Sequence, residues 1–110
     1  MAKILIVDDS AVVSGVLGEF LSGEGHEVVH AGDGLEGIVK AYQEIPDLII
    51  SDVEMPRLQG YQMSRLLKKR REIKKIPLVM HTSLSEDRDR FWAMSSGADA
   101  FVNKDFDNLE

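Results

Sequence analysis

The chain contains no cysteine, which excludes disulfides and thiolate metal centres and fits a reducing compartment. It has no apolar run long enough to cross a bilayer, and its N-terminus has none of the charge-then-apolar order of a signal peptide. The expectation is therefore a cytoplasmic domain without membrane contact. It has no excess of positive charge to offer a polyanion. Lys and Arg number 13 against 19 Asp and Glu, and the resulting net charge of −6 argues against nucleic-acid binding through this domain. Linkers, repeats and low-complexity segments are also missing, so residues 1–110 read as one domain with room for a core. One stretch departs from the acidic balance: Lys68-Lys69-Arg70-Arg71, followed by Lys74 and Lys75. It reads either as an anion or nucleic-acid patch or as the solvated C-terminus of a helix, where the helix dipole favours cations. The acidic remainder favours the second.

What the chain does have is an alternation of short apolar runs with helical stripes. Lys3 to Val7 is continuously apolar after its lysine, the mark of a central strand buried on both faces. Asp8-Asp9-Ser10 ends it, and Asp9 or Ser10 can cap a helix bearing Val12, Val13, Val16, Leu17, Phe20 and Leu21. Gly15 and Gly18 each cost that helix about 1 kcal/mol against alanine, so packing must compensate. Glu27 to Ala31 is a less apolar strand suited to an edge, and Asp33 can cap a helix with Leu35, Ile38, Val39 and Tyr42 at i, i+3, i+4 and i+7. Asp47-Leu48-Ile49-Ile50-Ser51-Asp52 is a third strand, closed by Pro56 and a turn at Gly60. A third helix is expected from Gly60 through Met63, Leu66 and Leu67 to Ile73. A fourth strand runs from Pro77 to Thr82. Ser85 then opens a helix through Phe91, Trp92 and Met94, and Ala100 to Lys104 forms a fifth strand. Asp107 to Glu110 are barely the start of a fifth helix.

Five strands alternating with helices predict an α/β fold, a doubly wound parallel sheet. Polar residues recur just after four strands: Asp8 and Asp9, Asp52, Thr82 and Lys104. A flavodoxin-like order of 2-1-3-4-5 would bring these strand ends together at the crevice where such sheets bind ligands. Clustered carboxylates repel each other unless a hard dication such as Mg²⁺ joins them. A lysine and a hydroxyl suit the oxygens of a phosphoryl group, whose transfer needs mainly positioning and charge neutralisation. Asp52 would then be a carboxylate nucleophile that forms an acyl phosphate.

These residues resemble the receiver domain of two-component response regulators over essentially the whole length. The resemblance rests on Ile-Leu-Ile-Val-Asp8-Asp9-Ser, Ala31-Gly-Asp-Gly34, Asp47 to Asp52 with Met55-Pro56 and Gly60, Thr82, Gly97-Ala98-Asp99, and Lys104 before Phe106. It implies that Asp52 is the phosphoacceptor and Asp9 a direct Mg²⁺ ligand. Asp8 would assist through water and Glu54 through its backbone carbonyl. Thr82 and Lys104 would contact the phosphoryl group, and Phe101 would be the aromatic switch partner of Thr82. The implied partners are a sensor histidine kinase or phosphotransfer protein and a downstream effector. The chemistry would be self-catalysed acceptance and loss of phosphate, not turnover of a substrate.

The chain departs from the family pattern at several places. Asp105 replaces the usual proline, and a cis bond there would cost about 3 kcal/mol more than trans, which leaves the isomer open; a trans bond would aim Lys104 less firmly. Phe101 lacks a tyrosine's hydroxyl, and Glu54 sets a negative charge beside the path of an attacking water. The short C-terminus predicts a sheet face covered by one helix only, in a fragment of a longer regulator or in a homodimer. His81 alternates with Thr82 and should face away from the phosphate, while Trp92 reads as core or interface. Rival readings are a non-phosphorylated receiver-like interaction module, a Mg²⁺-dependent phosphohydrolase, for whose cap domain there is no room, and a flavin-binding domain, whose phosphate the aspartates would repel.

Overall fold

A computed structural model describes residues 1–84 and 86–104. The described elements are β1 (Lys3–Val7), α1 (Ala11–Gly23), β2 (Glu27–Ala31), α2 (Gly34–Glu44), β3 (Leu48–Ser51), α3 (Gly60–Leu67), β4 (Leu78–Thr82), α4 (Asp87–Ser95) and β5 (Ala100–Asn103). All strand pairs are parallel, in the order β2-β1-β3-β4-β5. This is the expected doubly wound sheet, with β2 at an edge. Ser85, the Lys104-Asp105 bond and the expected start of a fifth helix lie outside the described residues.

Side-chain alternation splits the sheet into two unequal faces. Leu5, Val7, Ile49, Leu78, Met80 and Phe101 point into the main core, which Met63 and Leu67 of α3 and Ala41 of α2 complete. The other face carries Ile4 and Ile6, buried beneath α1, but Leu48, Ile50 and Val79 are only half-buried and Val102 is 47% exposed. Among the described residues α1 alone lies over that face and does not cover it, as the sequence led us to expect.

Local chemistry sets the helix starts. The Ser10 hydroxyl accepts from the Val13 N–H at 3.2 Å, and the Asp33 carboxylate from the Glu36 N–H at 2.9 Å. Ser10, not Asp9, is therefore the cap, and the Asp9 side chain is left for other work. At the far end of the sheet, Lys68 Nζ donates to the Lys74 and Ile76 carbonyls and to Asp99 Oδ2, which also accepts from the Leu78 N–H. This clasp ties the turn after α3 to the amino ends of β4 and β5.

Several stripes are not what the periodicity suggested. On α1, Val13, Leu17 and Leu21 are half-buried, whereas Val12, Val16 and Phe20 are exposed. On α2 the buried residues are Gly34, Gly37 and Ala41, while Leu35, Val39 and Tyr42 are exposed. A Cβ on Gly37 would meet Met63 Sδ at 2.7 Å and Val7 Cγ1 at 3.0 Å, so the helix approaches too closely for larger groups. α3 stops at Leu67, and Ile73 is buried from a turn, not from a helix. Phe91, Trp92 and Met94 are exposed, leaving Ala93 as the buried residue of α4; Trp92 is therefore not core.

Packing explains Gly18, whose Cβ would lie 3.0 Å from His30 Cε1, but nothing lies within 4 Å of one on Gly15. Gly60 is the most constrained position for the site, because a Cβ there would run into the Asp52 carbonyl oxygen. Backbone cannot turn aside as a side chain can. Gly60→Ala should therefore destabilise the fold by about 1–3 kcal/mol. Gly15→Ala should stabilise it by up to about 1 kcal/mol. Urea denaturation of both variants checks the pair, and equal midpoints would contradict it.

Candidate functional site

Backbone hydrogen bonds carry the sheet past its last paired residues and bring its polar ends to one edge. Asp8 N–H donates to the Ala31 carbonyl, Asp52 N–H to the Val7 carbonyl at 2.8 Å, and Lys104 N–H to the Thr82 carbonyl at 2.7 Å. The Gly60 N–H reaches back to the Val53 carbonyl, folding the loop after Asp52 against α3.

At this edge the carboxylates of Asp8, Asp9 and Asp52 each present an oxygen, and these oxygens lie within 4.8 Å of one another. Asp8 is buried, Asp52 nearly so at 9% exposure, and Asp9 is exposed. Lys104 Nζ bridges the two buried ones, 2.7 Å from Asp8 Oδ2 and 3.0 Å from Asp52 Oδ2. The other oxygen of each takes a backbone donor, Ser10 N–H for Asp8 and Val53 N–H for Asp52. Among the described residues Asp9 forms no hydrogen bond or ion pair. Burial pulls the Lys104 ammonium toward neutrality, but its hydrogen bonds to Asp8 and Asp52 outweigh that and raise its pKa. The lysine is firmly seated between the two carboxylates.

Thr82 is buried at the end of β4, its hydroxyl accepting from the Leu84 N–H at 3.2 Å. Phe101 is 8% exposed and belongs to the core, with the Arg90 guanidinium 5.2 Å above its ring. The side chain of Glu54 is exposed in the loop after Asp52. His81 alternates with Thr82 in burial but still feels the site. Burial and the Lys104 charge push its pKa down, partly offset by Asp8 and Asp52. Two features escaped the sequence reading. Arg90 stacks on Phe101 from another element, and Arg57, itself at φ 65°, pairs with the Asp33 cap at 2.7 Å. Their separations of 11 and 24 residues carry no local pattern that could have signalled either.

The donor set suits a hard cation. Its oxygens are anionic, closely spaced and matched by a single ammonium, whereas soft metals prefer the thiolates this chain lacks. No described helix is long and apolar enough to cross a membrane.

A family model described as response regulator receiver domain matches residues 4–110. The chain is 38% identical to Protein PilH of Pseudomonas aeruginosa, over 97% of this chain and 88% of that protein. Other curated relatives are longer, and the chain spans only 13% to 49% of them. Among solved structures it is similar to the Vibrio cholerae chemotaxis protein CheY4, with TM-score 0.91, 33% identity, and coverage of 96% of this chain and 88% of that one. It is also similar to the Mn²⁺-bound form of response regulator Rcp1, with TM-score 0.85, 26% identity and coverage of 94% and 81%.

The depressed His81 pKa makes stability depend on pH in a definite direction. Below about pH 6.5 the unfolded chain protonates this imidazole more readily than the folded one does. Stability is therefore lost as pH falls through that value, until the folded-state pKa is passed. Relative to its offset at pH 7.5, His81→Gln should gain on the wild type as pH falls toward 5, read from paired urea titrations. A constant difference would contradict the assignment.

Proposed function

Because this chain belongs to the response regulator receiver domain family, we propose that Asp52 accepts a phosphoryl group from a histidine kinase or phosphotransfer protein. The observation that carries the reading is the Lys104 bridge to Asp8 and Asp52, with a third carboxylate beside them. Such a site neutralises charge where a phosphoryl group would arrive.

In the proposed step a carboxylate oxygen of Asp52 attacks phosphorus. The bond from phosphorus to the donor's imidazole nitrogen breaks, and its electron pair leaves with the imidazole. The product is an acyl phosphate on Asp52. Lys104 is already hydrogen-bonded to the attacking carboxylate, so it can follow the charge onto the new phosphoryl oxygens. Asp9, with Asp8, Asp52 and the Glu54 backbone carbonyl, would hold Mg²⁺, which when bound offsets the negative charge of carboxylates and phosphoryl oxygens. That the similar response regulator Rcp1 has a Mn²⁺-bound form supports a divalent ion as a ligand here.

The Thr82 hydroxyl accepts from the Leu84 N–H and keeps its own O–H to donate to a phosphoryl oxygen, so a shift of Thr82 toward that oxygen would draw Leu84 with it. Phe101 is already inward, so the switch would tighten its packing under Arg90 more than swing the ring. The module would work in the cytoplasm by changing its binding surface for an effector, with no turnover of a separate substrate. The half-covered face beside α1 offers apolar area for self-association.

Acetyl phosphate with Mg²⁺ should add one phosphoryl mass to the wild type and none to Asp52→Asn, and chelation should abolish the gain. Lys104→Ala should slow acceptance by about a hundredfold. A mass gain that survives in Asp52→Asn would move the acceptor elsewhere. No gain in the wild type would favour a non-phosphorylated interaction module. Without phosphodonor, Mg²⁺ at about a hundred times its Kd should stabilise the wild type by about 2.7 kcal/mol. Asp9→Asn, which leaves the Lys104 bridge intact, should lose most of that gain in a thermal melt.

A further inference from the structure

Away from the acidic edge, α2 and α3 leave between them a groove of about 490 Å³ lined by Ile38, Tyr42, Leu66, Leu67, Lys69 and Arg70. Leu67 belongs to the core and Ile38 packs on it, but Tyr42 is 41% and Leu66 46% exposed, and Leu35 and Val39 of α2 are exposed as well. α2 crosses back antiparallel to the strands, so Tyr42 near its end lies toward the strands' amino ends, far from Asp52.

The basic run supplies the second observation. Lys68 is consumed in the clasp with Asp99, as a capping cation would be. Lys69 and Arg70 are exposed beside the groove, and among the described residues neither joins an ion pair. Lys69 and Arg70 lie in the turn just past α3 and line the same groove as Leu66, so apolar and cationic groups share one rim. Two exposed cations therefore stand at the rim of an apolar groove, a pairing that a solvated helix end does not require.

We propose that this groove docks an acidic amphipathic helix of a partner protein, with its apolar residues between Ile38, Tyr42 and Leu66 and its carboxylates on Lys69 and Arg70. Apolar contact supplies the affinity, and the cations select acidic partners and set the orientation. The site is independent of Asp52 chemistry, and Asp52→Asn should leave it unchanged.

The test uses a fluorescein-labelled peptide of about 18 residues, with Leu at i, i+3, i+4 and i+7 and Glu elsewhere, against the full chain. Binding should shift the amide signals of Ile38, Tyr42, Leu66 and Arg70 and weaken with added salt. The double variant Lys69→Glu with Arg70→Glu should bind it about tenfold more weakly, and should prefer the same peptide with Lys in place of Glu. Because both positions are exposed, the variant should keep the wild-type melting profile. No shift in these signals would overturn the proposal, as would affinity unaltered by charge reversal. Binding to anionic phosphatidylserine vesicles without peptide binding would overturn it in favour of a lipid surface.

Discussion

One ammonium group holds the edge of this sheet together electrostatically. Asp8 and Asp52 are brought within a few ångströms by backbone bonding that neither side chain controls, and burial denies them water to dilute their repulsion. Lys104 Nζ answers both at once. Its own backbone N–H is fixed to the Thr82 carbonyl, so the cation is delivered by the sheet and not by a wandering loop. One ammonium against three carboxylates leaves the edge formally anionic, with Asp9 outside the pairing, and that charge is what it offers a dication. Structure and chemistry are the same arrangement seen twice.

The strands were legible because fully buried strands announce themselves as unbroken apolar runs. The run from Lys3 to Val7 predicts a central position and occupies one, and the less apolar Glu27 to Ala31 lies at the edge. The site residues were legible for a related reason: each follows a strand directly, so placing the strands also placed Asp8, Asp9, Asp52, Thr82 and Lys104. The resemblance to receiver domains added their roles. Contacts such as Arg90 over Phe101 had no such handle, since they depend on how a helix is rolled against the sheet.

That roll is what the helical stripes misjudged. Periodicity identifies a face but cannot say which of two faces meets the core when one is small and the other large. On α2 the small face won, because Gly34, Gly37 and Ala41 permit an approach that Leu35, Val39 and Tyr42 would forbid. On α1 the stripe was wider than the surface available to cover it, leaving Val12, Val16 and Phe20 outside. The end of α3 failed differently. Lys68 turns back to bond two carbonyls, so the chain leaves the helix at Leu67 although its sequence could continue as one.

The pairing of β3 with β4 covers only Ile49 to Ser51 opposite Leu78 to Met80. Beyond it, Asp52 is bonded sideways to Val7, and Lys104 to Thr82. The anions are therefore carried by β1 and β3, and the cation and the hydroxyl by β4 and β5, within one continuous sheet. Lys104 is the cross-tie between the two strand pairs at this edge, so a change of charge at Asp8 or Asp52 is felt on both.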